Sequence, residues 1–124
     1  TNEELENLNP IMTIEDISKL QKKSKNITID DSILEWILDI ATTSRRHDDL
    51  RVGLSTRATV AIANTARATA LLSGRDFVTP DDLLFHLECV CSHRIVSSAH
   101  VLDQDRIVNK NIIEEIISKT PSPI

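Results

Sequence analysis

Residues 55–82 read STRATVAIANTARATALLSGRDFVTPDD, and this stretch decides the fold. From Ser55 to Ser73 there is no Gly or Pro, and alanine recurs. Alanine is the strongest helix former, so the stretch predicts one helix about 28 Å long at 1.5 Å per residue. Ser55 is a good N-cap, because its hydroxyl accepts from a free N–H of the first turn. Gly74 suits the C′ position that ends such a helix. Ala58, Ala61, Ala63, Ala66, Ala68 and Ala70 let neighbouring helices come close, which makes this helix the centre of a bundle. A second start follows. Thr79 caps, Pro80 takes the first helical position where its missing N–H costs nothing, and Asp82 completes a capping box. Val78 and Leu83 form a hydrophobic staple across that start. Leu83, Leu84, Leu87, Val90 and Cys91 are its expected buried side.

On the N-terminal side, Thr13 and Asp16 have capping-box spacing, and Ile14, Ile17 and Leu20 continue at helical intervals. Lys22, Lys23 and Lys25 suit the negative end of that helix dipole. Asn26–Ile29 is a β-prone break. The next helix starts near Asp30–Ser32, with Thr28/Asp31 and Ser32/Glu35 as competing boxes. Ile33, Leu34, Ile37, Ile40 and Ala41 form its apolar face, with Trp36 beside the stripe. On the C-terminal side, the chain turns irregular after Val96. A last amphipathic helix spans roughly Asn111–Lys119 and ends before Pro121. The expected fold class is all-α, a small bundle of about five helices with almost no strand. Residues 1–11 read as a connecting arm, 12–120 as the helical domain and 121–124 as a tail.

Composition narrows the function. The 124 residues carry 14 Lys+Arg against 19 Asp+Glu, a formal charge of −5. Nucleic-acid binding driven by bulk charge is therefore not expected. No apolar run approaches the roughly 18 residues of a membrane span. Two cysteines make no disulfide scaffold, which points to a reducing, cytoplasmic setting. With only Gly53 and Gly74, neither G-x-x-x-x-G-K-[ST] nor G-x-G-x-x-G can be written.

Three groups of residues invite chemistry. His86, Cys89 and His93 share a helical face with Cys91 nearby, and imidazole and thiolate ligate zinc. Three ligands strung over about 10 Å of one helix do not close a tetrahedron unaided, so the expectation is no metal. Asp48-Asp49 reads as a solvated loop and Asp81-Asp82 as helix capping, so neither is a catalytic dyad. Arg57 lies in the first turn of the long helix, where a cation is disfavoured by the positive end of the helix dipole. That placement suits an anion such as phosphate. The competing reading is an arginine in water, or one paired with Asp48 or Asp49. On the residues alone that reading leads, because surface arginine is common.

Three blocks, taken together, resemble the C-terminal lid of MoxR-type AAA+ ATPases. They are Gly53-Leu54-Ser55-Thr56-Arg57-Ala58, then Leu71–Leu83 with its Gly74-Arg75-Asp76-Phe77-Val78-Thr79-Pro80 run, and Ser92-His93-Arg94-Ile95. The family patterns are approximately G-A-S-P-R-A, G-R-D-[YF]-V-T-P-x-D and H-R. Ser44-Arg45 stands where the family usually has Thr-Arg. The likeness runs over about residues 12–97. It departs at Leu54 and Thr56, which replace the usual Ala and Pro.

The resemblance implies a ring-forming parent, typically a hexamer, that binds ATP with Mg²⁺ and acts as a chaperone-like remodeller. A von Willebrand factor A domain protein is a further implied partner. Arg57 matches the sensor-2 arginine, which in this family reaches the γ-phosphate, and Gly53 and Ser55 belong to the same nucleotide-facing block. The resemblance thus reverses the reading of Arg57. Gly53 and the charged loop before it are the expected hinge. Arg45, Arg75 and Arg94 match other family positions, and a structural role is expected for each. The Walker segments, sensor 1 and the arginine finger are absent, so the chain resembles an excised lid with no cofactor and no hydrolysis of its own. The rival reading is a stand-alone histone-fold-like interaction module, which predicts an obligate dimer.

Overall fold

The alanine-rich stretch forms the central helix, α4, at Thr56–Leu72. Ser55 is its N-cap, accepting from the Ala58 N–H at 3.2 Å. Its far end closes at Ser73, followed by Gly74 with φ +76°, the left-handed conformation that glycine adopts without strain. The computed structural model describes residues 1–98 and 105–123. Against α4 pack α2 (Ile14–Lys25), α3 (Asp31–Arg45) and α5 (Pro80–Cys91), while α6 (Asp105–Lys119) packs against α3 and α5. The arm contributes one short helix, α1 (Asn2–Glu6), which buries no residue.

The all-α bundle matches expectation, with one addition. Leu50–Val52 (β1) and Val96–Ser97 (β2) pair antiparallel, so the segments after α3 and after α5 are tied together. The β-prone break is used as well. Thr28 bridges Phe77 in parallel, with its N–H donating to the Asp76 carbonyl at 2.9 Å and its carbonyl accepting from Val78 at 2.9 Å. These two exchanges seat the α2–α3 connection beside the turn that leads into α5.

Helix boundaries shift at two places. Neither expected box starts α3. Asp30 caps it instead, accepting from the Ser32 N–H at 2.9 Å and from its hydroxyl at 2.6 Å. Helix α6 begins at Asp105, six residues before the expected start, because Val108, Asn109, Ile112, Ile113 and Ile116 already share one inward side. The expectation of irregular chain after Val96 falls partly on residues 99–104, outside the described residues.

Two buried faces are rotated from the expected ones. In α3, Ile33, Trp36, Ile37, Ile40, Ala41 and Ser44 are buried at i, i+3, i+4, i+7, i+8 and i+11 spacing. Trp36 is thus central to the stripe, while Leu34 is 36% exposed. A hydrogen bond explains the choice: the Trp36 Nε1–H donates to the Thr120 carbonyl at 2.7 Å and ties α3 to the end of α6. In α5, Leu83, Leu87 and Cys91 are buried, Val90 is half-buried, and Leu84 turns outward. With Ala58, Ile62, Ala66 and Ala70 of α4 and Ile112, Ile113 and Ile116 of α6, these residues make one core. Helix α2 has its expected capping box on Thr13 and Asp16 yet buries no residue.

Candidate functional site

Arg57 is the second residue of α4 and is exposed. Among the described residues nothing hydrogen-bonds or ion-pairs with it, so the expected alternative of a bond to Asp48 or Asp49 is not realised. The first turn of α4 also contains no acidic residue. Every other helix with a described first turn and cap carries acids there: Glu3 and Glu4 in α1, Glu15 and Asp16 in α2, Asp31 in α3, Asp81 and Asp82 in α5. The usual dipole compensation is therefore missing at α4, and a cation stands in its place. Free N–H groups and a guanidinium at one helix end favour an oxyanion over any cation.

What holds this end in place is the C-terminus of α3. The Leu54 N–H donates to Ser44 Oγ at 2.8 Å, and the Ser44 hydroxyl donates to the Ala41 carbonyl at 2.6 Å. Arg45 Nε donates to the Leu54 carbonyl at 2.8 Å. Gly53 runs so close to α3 that a Cβ there would lie 2.7 Å from Arg45 N and Cα. The glycine is required by this approach, and its φ is not positive. The expected hinge at Gly53 is thus a packed joint. Ser55, expected to face nucleotide, spends its hydroxyl on the cap of α4.

Arg75 and Arg94 have structural partners. Arg75 grips Asp82 through two hydrogen bonds of 2.7 and 2.6 Å and donates to the Phe77 carbonyl at 3.0 Å. The guanidinium holds the Asp82 carboxyl below the ordinary carboxylate range, against the opposing pull of burial. Asp82 also accepts the Thr79 N–H at 2.7 Å, as the capping box requires. Arg94 donates to the Val90 carbonyl at 2.6 Å and so closes the end of α5.

The zinc candidates do not form a ligand set. Cys91 is buried in the core, and burial pushes its thiol up to about 12, far from thiolate. Cys89 and His93 are exposed, and His86 stacks edge-on against Phe85 with centroids 4.6 Å apart. The structure instead gathers His47, Asp49 and Glu115, whose ligand atoms lie within 4.8 Å of one another. The Asp49 N–H donates to His47 Nδ1 at 3.1 Å, so the ring hydrogen sits on Nε2, 3.1 Å from Glu115. Lys119 occupies the other Glu115 oxygen at 2.8 Å, and both neighbours hold the Glu115 carboxyl below its ordinary range. Every ring nitrogen is used, so the cluster is a hydrogen-bonded link between the α3–β1 loop and α6. Sequence spacing gave no sign of it, because His47 and Glu115 are 68 residues apart.

The AAA lid domain family model matches residues 42–116. YeaC, an uncharacterized protein of Bacillus subtilis (strain 168), is 33% identical over 120 residues, covering 97% of this chain and 37% of its own length. Chaperone MoxR1 of Mycobacterium tuberculosis is 25% identical over 122 residues, covering 91% of this chain and 32% of its own. An ATPase candidate from Cytophaga hutchinsonii, solved by crystallography, shares the fold with a TM-score of 0.75 at 23% identity, over 86% of this chain and 35% of its own. The chain spans about a third of the length of these relatives. No helix among the described residues is long and apolar enough to cross a membrane. The chain belongs to the AAA lid domain family and is a lid of the MoxR-like AAA+ type, so the histone-fold-like reading gives way.

Proposed function

We propose that this AAA+ lid senses nucleotide through Arg57, closing over ATP held by the ATPase core of its parent. The observation that carries the reading is the state of the α4 N-terminus: a cation where a helix prefers an anion, with no acid in the turn and no partner among the described residues. A γ-phosphate supplies the missing negative charge, and its loss on hydrolysis removes it. Bound with Mg²⁺, ATP supplies the phosphoryl group and its leaving group. The lid's part is to present one guanidinium and to move as a body. Ser55 keeps the helix end formed and Gly53 keeps it against α3, so neither needs to touch nucleotide.

The parent is then a ring of such subunits, each lid coupling the nucleotide state of its own core to its neighbour, and the work done is chaperone-like remodelling. The relative named Chaperone MoxR1 supports that last step. A von Willebrand factor A domain partner follows from the family likeness only. The test is Arg57→Ala in the parent ATPase, with ring assembly checked by sedimentation. Turnover should fall by about tenfold or more, the scale of losing one charge-stabilising donor. Unchanged turnover in an intact ring contradicts the reading.

A further inference from the structure

We propose that Ser44 and Arg45, at the end of α3, are positioning residues for Arg57, an inference that rests on the sensor-2 reading above. Leu54 is held by all three of its groups. Its side chain is buried in the core at 3% exposure. Its N–H is taken by Ser44 Oγ at 2.8 Å, and its carbonyl by Arg45 Nε at 2.8 Å. Ser44 is itself 1% exposed and oriented by its bond to the Ala41 carbonyl. The clamp is thus built on a rigid helix and closes one residue before the α4 cap.

From Leu54 to Arg57 the chain has no slack. Ser55 is fixed by its bond to Ala58, and Thr56 and Arg57 are already helical. Gly53 seals the other side, since its Cα lies too near the Ser44 and Arg45 backbone for any Cβ. The direction of the first turn of α4, and with it the root of Arg57, is therefore set by two consecutive side chains of α3. Arg45 is exposed, and Leu54 is its only partner among the described residues. An exposed arginine committed to one loop carbonyl contributes little to folding, but it fixes an angle. Oriented groups are sensitive to such angles, because misplacement by about 1 Å can cost on the order of a hundredfold in rate.

The experiment measures ATP turnover of the parent ATPase carrying Arg45→Ala, Ser44→Ala, Ser44→Thr, Arg57→Ala and the Arg45→Ala/Arg57→Ala pair. Arg45→Ala should lower turnover by about tenfold with the ring intact. In the Arg57→Ala background it should lower it no further, because its effect passes through Arg57. Ser44→Thr, which keeps the hydroxyl, should retain activity where Ser44→Ala loses it. If Ser44→Ala does not fold, the exposed Arg45 decides the matter. Wild-type turnover in Arg45→Ala, or the same fold loss with and without Arg57, overturns the proposal. A silent Arg57→Ala overturns the sensor-2 reading and this inference together, whereas an Arg57→Ala loss with an additive Arg45→Ala loss overturns this inference alone.

Discussion

Helices α4 and α5 start in similar ways and end up in opposite electrical states. Each follows a buried residue, Leu54 or Val78, and each has a hydroxyl residue at its cap. Each also has an arginine close by. At α5 the arginine is consumed: Arg75 is bound to Asp82, and Asp82 satisfies the Thr79 N–H. Positive guanidinium, negative carboxylate and helix dipole cancel within the domain. At α4 nothing cancels among the described residues, because Arg57 adds to the positive end and the first turn carries no acid. The first arrangement stabilises the fold. The second leaves the positive end of α4 uncompensated among the described residues, which is the feature the proposed nucleotide contact rests on.

The contrast is broken most severely at α5. Asp82→Ala removes a buried acceptor from both Thr79 and Arg75 and should cost about 2–3 kcal/mol in urea unfolding of this chain. Arg57→Ala in the same assay should change stability by no more than about 0.5 kcal/mol, the ordinary scale for surface substitutions. Gly53→Ala comes next. Its Cβ meets backbone and not a flexible side-chain tip, so a loss of about 2 kcal/mol is expected, together with altered chemical shifts at Arg45 and Leu54.

Acid sharpens the comparison. The Asp82 carboxyl is held below its unfolded value, so its contribution is complete above that value and is lost as pH falls through the folded one. Stability should therefore drop below about pH 4, and Asp82→Ala should flatten that limb. A flattening produced by Arg57→Ala instead would contradict the assignment of charges. The smallest effect is the most specific. Arg57→Glu puts an anion where the α4 dipole asks for one and should stabilise the isolated lid by about 0.5 kcal/mol, read as a raised urea midpoint. The same change should abolish any nucleotide response of the parent.

The two helix starts also differ in how far sequence alone describes them. At α5, Thr79-Pro80-Asp81-Asp82 specifies the cap locally, and the structure follows it. At α4, Ser55 and Gly74 fix both ends of the helix equally well. The tie to α3 is another matter, since Ser44 and Leu54 are ten residues apart and meet only after both helices pack. Gly53 shows the limit clearly. Its need for a missing Cβ comes from a neighbour's backbone, which no local pattern displays, so the sequence alone reads as a hinge there. Trp36 shifted the buried face of α3 for a similar reason, because its partner is the carbonyl of Thr120 at the far end of the chain. The charge on Arg57 is legible in the sequence as an oddity of position, whereas its lack of a partner among the described residues is known only from the fold.

The most direct test is a structure of the parent ring with a non-hydrolysable ATP analogue. The account predicts an Arg57 guanidinium nitrogen about 2.7–2.9 Å from a γ-phosphate oxygen, the distance of a charge-assisted hydrogen bond. An Arg57 left in solvent, or turned to a carboxylate of the core while the γ-phosphate is bound by other groups, would contradict it.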